Sequence, residues 1–114
     1  MIRDRETWVS SYRTLWMLVM FDLPVGEKEE RKAAAGFRNF LLDQGFNMAQ
    51  FSVYYRLLSG RDSALAMEGK IAASVPKEGS VHVLTITDKQ YENITTYQGR
   101  RRESPKKPDQ LTLF

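Results

Sequence analysis

The sequence of 114 residues has no cysteine, one histidine and no long apolar run. The absence of cysteine excludes disulfides, thiolate nucleophiles and cysteine-based metal sites, and it suits a reducing compartment, so a cytoplasmic location is expected. Because a membrane helix needs about 20 consecutive apolar residues, no membrane partner is expected. The first residues, MIRDRETWVSSYR, are charged and lack a long apolar segment behind them, which argues against a signal peptide.

Common catalytic motifs are missing as well. The sequence has no Walker loop, no His-x-His pair and no Glu-x-x-His motif. Ser52 has no neighbouring histidine that would activate it as a nucleophile. His82 lies in a strand-like segment on the face of Leu84 and Ile86, where a core or sheet-face residue is more typical than a metal ligand. The sequence therefore identifies no complete catalytic site within one chain.

Positive charge is concentrated in one short segment, RRRESPKK, near the C-terminus. The net charge of the chain is +3, and this segment alone carries five basic residues and one acidic residue. Clustered Lys and Arg bind a phosphate backbone because they release its condensed counterions. The predicted nucleic-acid contacts are therefore Arg100, Arg101, Arg102, Lys106 and Lys107. A solvated, flexible tail is the alternative that composition leaves open.

Hydrophobic periodicity predicts an alternation of strands and helices. We predict strands over 15–23, within 46–58 and over 80–87, and helices over 27–44 and 61–75. The segment 46–58 is expected to hold two strands, or one long bent strand, with a bulge near Ala49. Further expectations concern local detail: an apolar helix stripe of Ala33, Phe37, Phe40 and Leu41, a helical turn capped by Asp88, and a short strand over 95–97.

The preferred order, β-α-β-β-α-β, is that of the α+β, ferredoxin-like split βαβ fold, in which both helices cover one face of an antiparallel sheet. The other order, β-α-β-α-β-β, follows if 46–58 is counted as one strand. In the preferred fold the second sheet face lacks a cover, and a second copy of the chain is the simplest one. We therefore expect a homodimer.

Residues 1–99 are assigned to this domain, and residues 100–114 to a basic linker and a C-terminal strand. The final LTLF is unusually apolar for a free tail, so we expect it to dock on the dimer mate or on a partner. The predicted docking residues are Leu111, Leu113 and Phe114.

Asp22 ends the first strand, in MLVMFDLPVG, and has two interpretations. It either forms the following PVGE turn by accepting hydrogen bonds from backbone amides, or it is a hard oxygen ligand for Mg²⁺. Magnesium keeps several waters and often takes only one or two carboxylates. Two copies of Asp22 near a two-fold axis would supply two.

Aromatic residues are a second candidate type of nucleic-acid contact. Tyr54 and Tyr55 could stack on bases, but neighbouring strand residues face opposite ways, so at most one is available. A small RNA-binding domain of ferredoxin-like fold is a further hypothesis. It lacks support because the Lys/Arg-Gly-Phe runs typical of such domains are missing.

Four segments together resemble one family. They are LVMFDLP, EERKAAAGFRNFLLDQGF, QFSVYYRLL and VHVLTITDKQYENI, which come in the family's order between Trp16 and Gly99. The chain resembles the small CRISPR-associated protein of the spacer-acquisition module, the companion of the CRISPR integrase. The details FDLP and TDKQY look most like the version from type II systems, which use a single large RNA-guided effector nuclease.

The resemblance implies a ferredoxin-like homodimer whose C-terminal strand crosses to, or pads, the partner. Such a dimer bridges two integrase dimers and holds foreign duplex DNA for insertion into the repeat array. The resemblance also implies that Asp22 is the Mg²⁺ position in members credited with nuclease activity. One carboxylate per chain is sparse for two-metal cleavage of a phosphodiester. The scaffold role is therefore ranked first, and a Mg²⁺-dependent endonuclease acting on RNA or double-stranded DNA is the alternative.

Overall fold

The computed structural model describes residues 14–99. In chain order the elements are β1 (Leu15–Asp22), α1 (Lys28–Asp43), β2 (Asn47–Gln50), β3 (Val53–Leu58), α2 (Arg61–Ser74), β4 (Ser80–Thr87) and α3 (Asp88–Glu92). The strands form an antiparallel sheet in the order β2-β3-β1-β4. The predicted ferredoxin-like α+β fold is confirmed. The β-α-β-α-β-β order is wrong, because 46–58 holds two strands. Within residues 14–99, no helix has the length and apolar character to span a bilayer.

Strand β1 lies at the centre of the sheet and supplies much of the core. Its alternate residues Leu15, Met17, Val19 and Phe21 are buried. They pack with buried residues of the two long helices: Phe37, Leu41, Met67 and Ile71. The ring of Phe21 meets that of Phe37 edge-on, with centroids 5.2 Å apart. Because burying one such side chain contributes roughly 1.5–3 kcal/mol, this layer accounts for much of the stability.

Helix α1 buries a slightly different stripe from the predicted one. Its buried residues are Ala34, Phe37 and Leu41, whereas Ala33 is exposed and Phe40 is half-buried. At 100° per residue, Ala33 and Phe40 fall on the flank of the stripe that Phe37 and Leu41 define. The helix position is right, and the residue that begins the stripe is corrected.

The β2–β3 turn departs from regular strand geometry. The predicted bulge near Ala49 is confirmed, since the register shifts between Met48 and Gln50. Ser52 has a φ of 138°, and its carbonyl accepts a hydrogen bond from Phe21 N at 3.0 Å. Strand alternation would place Phe51 on the face of Val53, but its ring lies over Arg38 of α1. The turn therefore carries Phe51 to the helix side.

Helix α3 lies against the opposite face of the sheet. Thr87 caps it, accepting from Gln90 N at 3.1 Å, so the predicted cap at Asp88 is wrong. Asp88 instead accepts a hydrogen bond from the Trp16 indole at 2.8 Å. Tyr91 stacks on Trp16 with centroids 3.9 Å apart. No strand forms over 95–97 in the described chain, which corrects that expectation.

Candidate metal and nucleic-acid site

We call the sheet face opposite α1 and α2 the open face. Among residues 14–99, only α3 covers it, at one end. Leu57 and Leu84 on this face are 49% and 48% exposed. Leu18 is buried between its strand partners Tyr55 and Leu84. The predicted apolar face without a cover is confirmed within residues 14–99. Exposed apolar residues grouped on one sheet face are typical of an interaction site.

Asp22 lies at the end of the open face that is distant from α3. It is the last residue of β1, it pairs in register with Ser80 of β4, and its side chain is exposed. Within residues 14–99, its carboxylate has no hydrogen-bond or ion-pair partner. The side chain is therefore available to a ligand that approaches the open face.

The helix after Asp22 is capped by other residues. Glu27 and Glu30 form a reciprocal capping box at the start of α1, and the Glu30 carboxylate accepts from Glu27 N at 2.9 Å. Arg31 donates to the carbonyls of Val25 and Gly26 at 3.2 and 3.0 Å. The interpretation of Asp22 as the cap or turn former is therefore wrong, because the turn is held without it.

A metal at Asp22 would obtain few ligands from residues 14–99 of one chain. Residues 14–99 contain no group of three or more acidic or histidine side chains placed to hold an ion. An exposed, unpartnered carboxylate fits Mg²⁺, which retains several waters and accepts one or two carboxylates. It does not fit a complete two-metal hydrolytic centre, which needs several ligands around both ions.

Two backbone contacts set the position of the Asp22 end of β1. The first is the hydrogen bond between Phe21 and Ser52 described above. The second is the close approach of Gly79, whose φ is +94° and whose added Cβ would lie 2.6 Å from the Asp22 carbonyl oxygen and 3.0 Å from Leu23 Cα. The sequence analysis did not single out Gly79. Its position directly before β4 was the available signal.

The other candidate side chains are distributed over both faces. His82 is exposed on the edge strand β4, opposite Met20 on the open face, so it is a sheet-face residue rather than a core residue. Tyr54 is buried in the core, whereas Tyr55 lies on the open face with its ring centroid 6.1 Å from that of Trp16. Only one of the two tyrosines faces outward, as predicted.

The described part of the chain is nearly neutral. Residues 14–99 carry nine Lys or Arg and ten Asp or Glu. The basic residues predicted to contact nucleic acid and the apolar residues predicted to dock lie outside the described residues: Arg100, Arg101, Arg102, Lys106, Lys107, Leu111, Leu113 and Phe114. Their roles stay predictions, as does the boundary at residue 99.

Comparison with known proteins agrees with this fold. Residues 15–94 match the family described as "CRISPR associated protein Cas2". A protein of Paracidovorax avenae named "CRISPR-associated endoribonuclease Cas2" is 49% identical over 107 residues, covering 93% of this chain and 99% of the relative. A protein of the same name from Flavobacterium psychrophilum is 42% identical over 115 residues, covering 100% of both chains.

A solved structure supports the fold independently. The structure titled "Crystal structure of cas2" superposes with a TM-score of 0.57 at 20% sequence identity. The match covers 82% of this chain and 95% of the other. At this identity the likeness concerns the fold alone. The family match and the two relatives lead to one conclusion: the chain belongs to the CRISPR-associated Cas2 family.

Proposed function

We propose that this chain acts in CRISPR spacer acquisition as a homodimeric scaffold that holds foreign duplex DNA and bridges dimers of the CRISPR integrase. The observation that carries the scaffold role is the sparse acidic site. Asp22 is an exposed carboxylate at the free end of the open face, and no three-ligand group surrounds it within residues 14–99. A holding function needs no such group, because phosphate contacts position a duplex without reading or cutting it.

Support for the dimer comes from the open face. Its apolar residues are about half exposed at Leu57 and Leu84, and a two-fold copy of the same face is complementary to it in character. Asp22 borders this face, so a second copy would bring a second carboxylate toward the first.

Removal of positive charge, measured at several salt concentrations, tests the DNA contact. Replacing Arg100, Arg101 and Arg102 by alanine is expected to weaken binding of a blunt duplex and to reduce the slope of log K against log salt by up to about three phosphate contacts. Fluorescence anisotropy over a range of salt concentrations measures both quantities. The matched control replaces Lys28, Lys32 and Lys70 on the helices. An unchanged slope in the arginine variant would remove the segment from the DNA contact.

The C-terminal segment provides a test of assembly. Deleting residues 111–114 is expected to lower the stability of the dimer or its affinity for the integrase, because Leu111, Leu113 and Phe114 are apolar docking residues in this proposal. Sedimentation at several concentrations and pull-down with purified integrase measure the two effects. A truncated chain that is as dimeric, as stable and as able to bind integrase as the full chain would contradict this role.

A Mg²⁺-dependent endonuclease is the second candidate function. It is favoured by the exposed Asp22 carboxylate, which is not used for capping, and by the name "endoribonuclease" that the relatives carry. In this role Asp22 from each of two subunits would hold the ion, and the ion would supply an activated water and stabilise charge on the phosphate. RNA and double-stranded DNA are both candidate substrates.

Two finer assignments belong to the same proposal. The segments FDLP and TDKQY favour a type II system, and the absence of cysteine suits the cytoplasm. Integration assays with an integrase from a type II system, compared with one from another system, test the first assignment. Integration that occurs only with the integrase from the other system would contradict the type II assignment.

A further inference from the structure

Phe51 occupies an unusual position in the fold. It lies in the β2–β3 turn, and its side chain is 71% exposed. The guanidinium carbon of Arg38 lies 4.3 Å from the centroid of its ring. The same guanidinium is 5.7 Å from the buried ring of Phe21. Arg38 is therefore held between a core ring and an exposed ring, and one face of Phe51 remains open to solvent.

The backbone that produces this arrangement is strained. Ser52 is the only described non-glycine residue with positive φ, and such a conformation typically costs roughly 1–3 kcal/mol. The strain gains little burial for Phe51, whose ring stays mostly exposed. Without the turn, strand alternation would place Phe51 on the open face with Val53. The strained turn therefore places an exposed aromatic ring on the other side of the sheet.

Arg38 restricts the orientation of the Phe51 ring. Its Nε is buried and has no hydrogen-bond acceptor among the described residues, so the guanidinium is held by packing against the two rings. Stacking of a guanidinium on an aromatic face is itself favourable. The turn is also tied at Ser52 O to Phe21 N, 3.0 Å away. The Phe51 ring and the turn that carries it are therefore held in position before a ligand binds.

We propose that Phe51, backed by Arg38, is a stacking platform for an unpaired nucleobase. This inference rests on the proposed nucleic-acid function and adds a contact to it. Every base has a flat π face, so one exposed ring accepts bases without reading their sequence. The platform lies at the same end of β1 as Asp22 but on the opposite side of the sheet. A single strand or a frayed duplex end that stacks on Phe51 would therefore pass the end of β1 that carries Asp22.

The test compares two probes in buffer with EDTA, where metal-dependent cleavage does not occur. One is a short single-stranded oligonucleotide containing 2-aminopurine, and the other is a blunt duplex. Phe51→Ala is expected to weaken single-strand binding roughly 5- to 100-fold and to remove the 2-aminopurine quenching, because one base–aromatic stack is lost. Phe51→Trp is expected to retain both, and Arg38→Met to give an intermediate loss. Duplex binding should change little.

The control variant is Leu65→Ala, which removes another exposed apolar side chain, 60% exposed on α2, and should alter neither probe. If wild-type protein binds both probes and Phe51→Ala binds the single strand equally well, the platform is wrong while the proposed function stands. If Phe51→Ala loses only binding to the integrase, the ring is a protein contact, which also overturns the platform. If wild-type protein binds neither probe, the proposed function itself fails.

Discussion

Gly79→Ala is expected to lower the free energy of unfolding by roughly 2–5 kcal/mol, combining the strain of a left-handed L-residue with the strain of overpacking. The added Cβ would lie 2.6 Å from the Asp22 carbonyl oxygen and 2.8 Å from Leu23 Cδ2. The leucine side chain can rotate, but the carbonyl belongs to the backbone of the central strand. Relief of the clash therefore requires β4 to separate from the end of β1.

Chemical denaturation followed by circular dichroism measures this loss. The matched control is Gly36→Ala, because an added Cβ there meets nothing within 4 Å and the residue lies inside α1. That substitution should raise stability by about 0.5–1 kcal/mol, since alanine favours a helix interior. Gly79→Ala as stable as wild type would mean that the close approach to Asp22 does not limit the fold.

Asp22→Asn is expected to reduce Mg²⁺-dependent cleavage by more than about 100-fold if the chain has intrinsic nuclease activity. Loss of groups that merely orient metal ligands typically costs 10–100-fold in affinity or activity, and loss of the ligand itself should cost at least as much. The substitution keeps the shape of the side chain, so the fold and the binding of duplex in EDTA should not change. Cleavage of labelled RNA and duplex DNA by purified protein, with and without Mg²⁺, measures the effect.

The control for this experiment is Asp43→Asn, which removes another exposed carboxylate, in the last turn of α1. Equal cleavage by wild type and Asp22→Asn would assign the activity to a contaminant or to another site. Spacer acquisition in cells then separates the two proposed functions. The scaffold proposal predicts that Asp22→Asn retains acquisition, whereas loss of acquisition with an intact, dimeric protein would favour the nuclease.

The elements were predictable where their signals are local. The β-branched segment SVHVLTIT gave the bounds of β4 correctly, and the acidic start of α1 lies at its first turn. The position of Asp22 also followed from local information, because strand alternation places it on the face of Leu18 and Met20. These features depend on residues that are close in sequence.

The errors arose where distant residues decide. Thr87 and Asp88 are both good caps, and the indole of Trp16 takes Asp88 into a different contact at 2.8 Å. Phe51 is turned to the helix side by Ser52, whose carbonyl bonds to β1. Gly79 touches Asp22 only once β4 has paired with β1. These contacts join residues that are distant in sequence, so no local sequence pattern predicts them. They determine the position of the candidate site.

Residues 14–99 are nearly neutral, so in the proposed function the DNA affinity and the fold stability of this chain depend on different residues. Every buried residue of the described hydrophobic core lies between Leu15 and Ile71, whereas the concentrated positive charge begins at Arg100. In the proposed function, the strength of the hold on DNA and the strength of the fold are therefore two separate quantities. A change in the number of basic residues after residue 99 would adjust the first and leave the core residues that determine the second unchanged. Substitutions in the core would do the reverse.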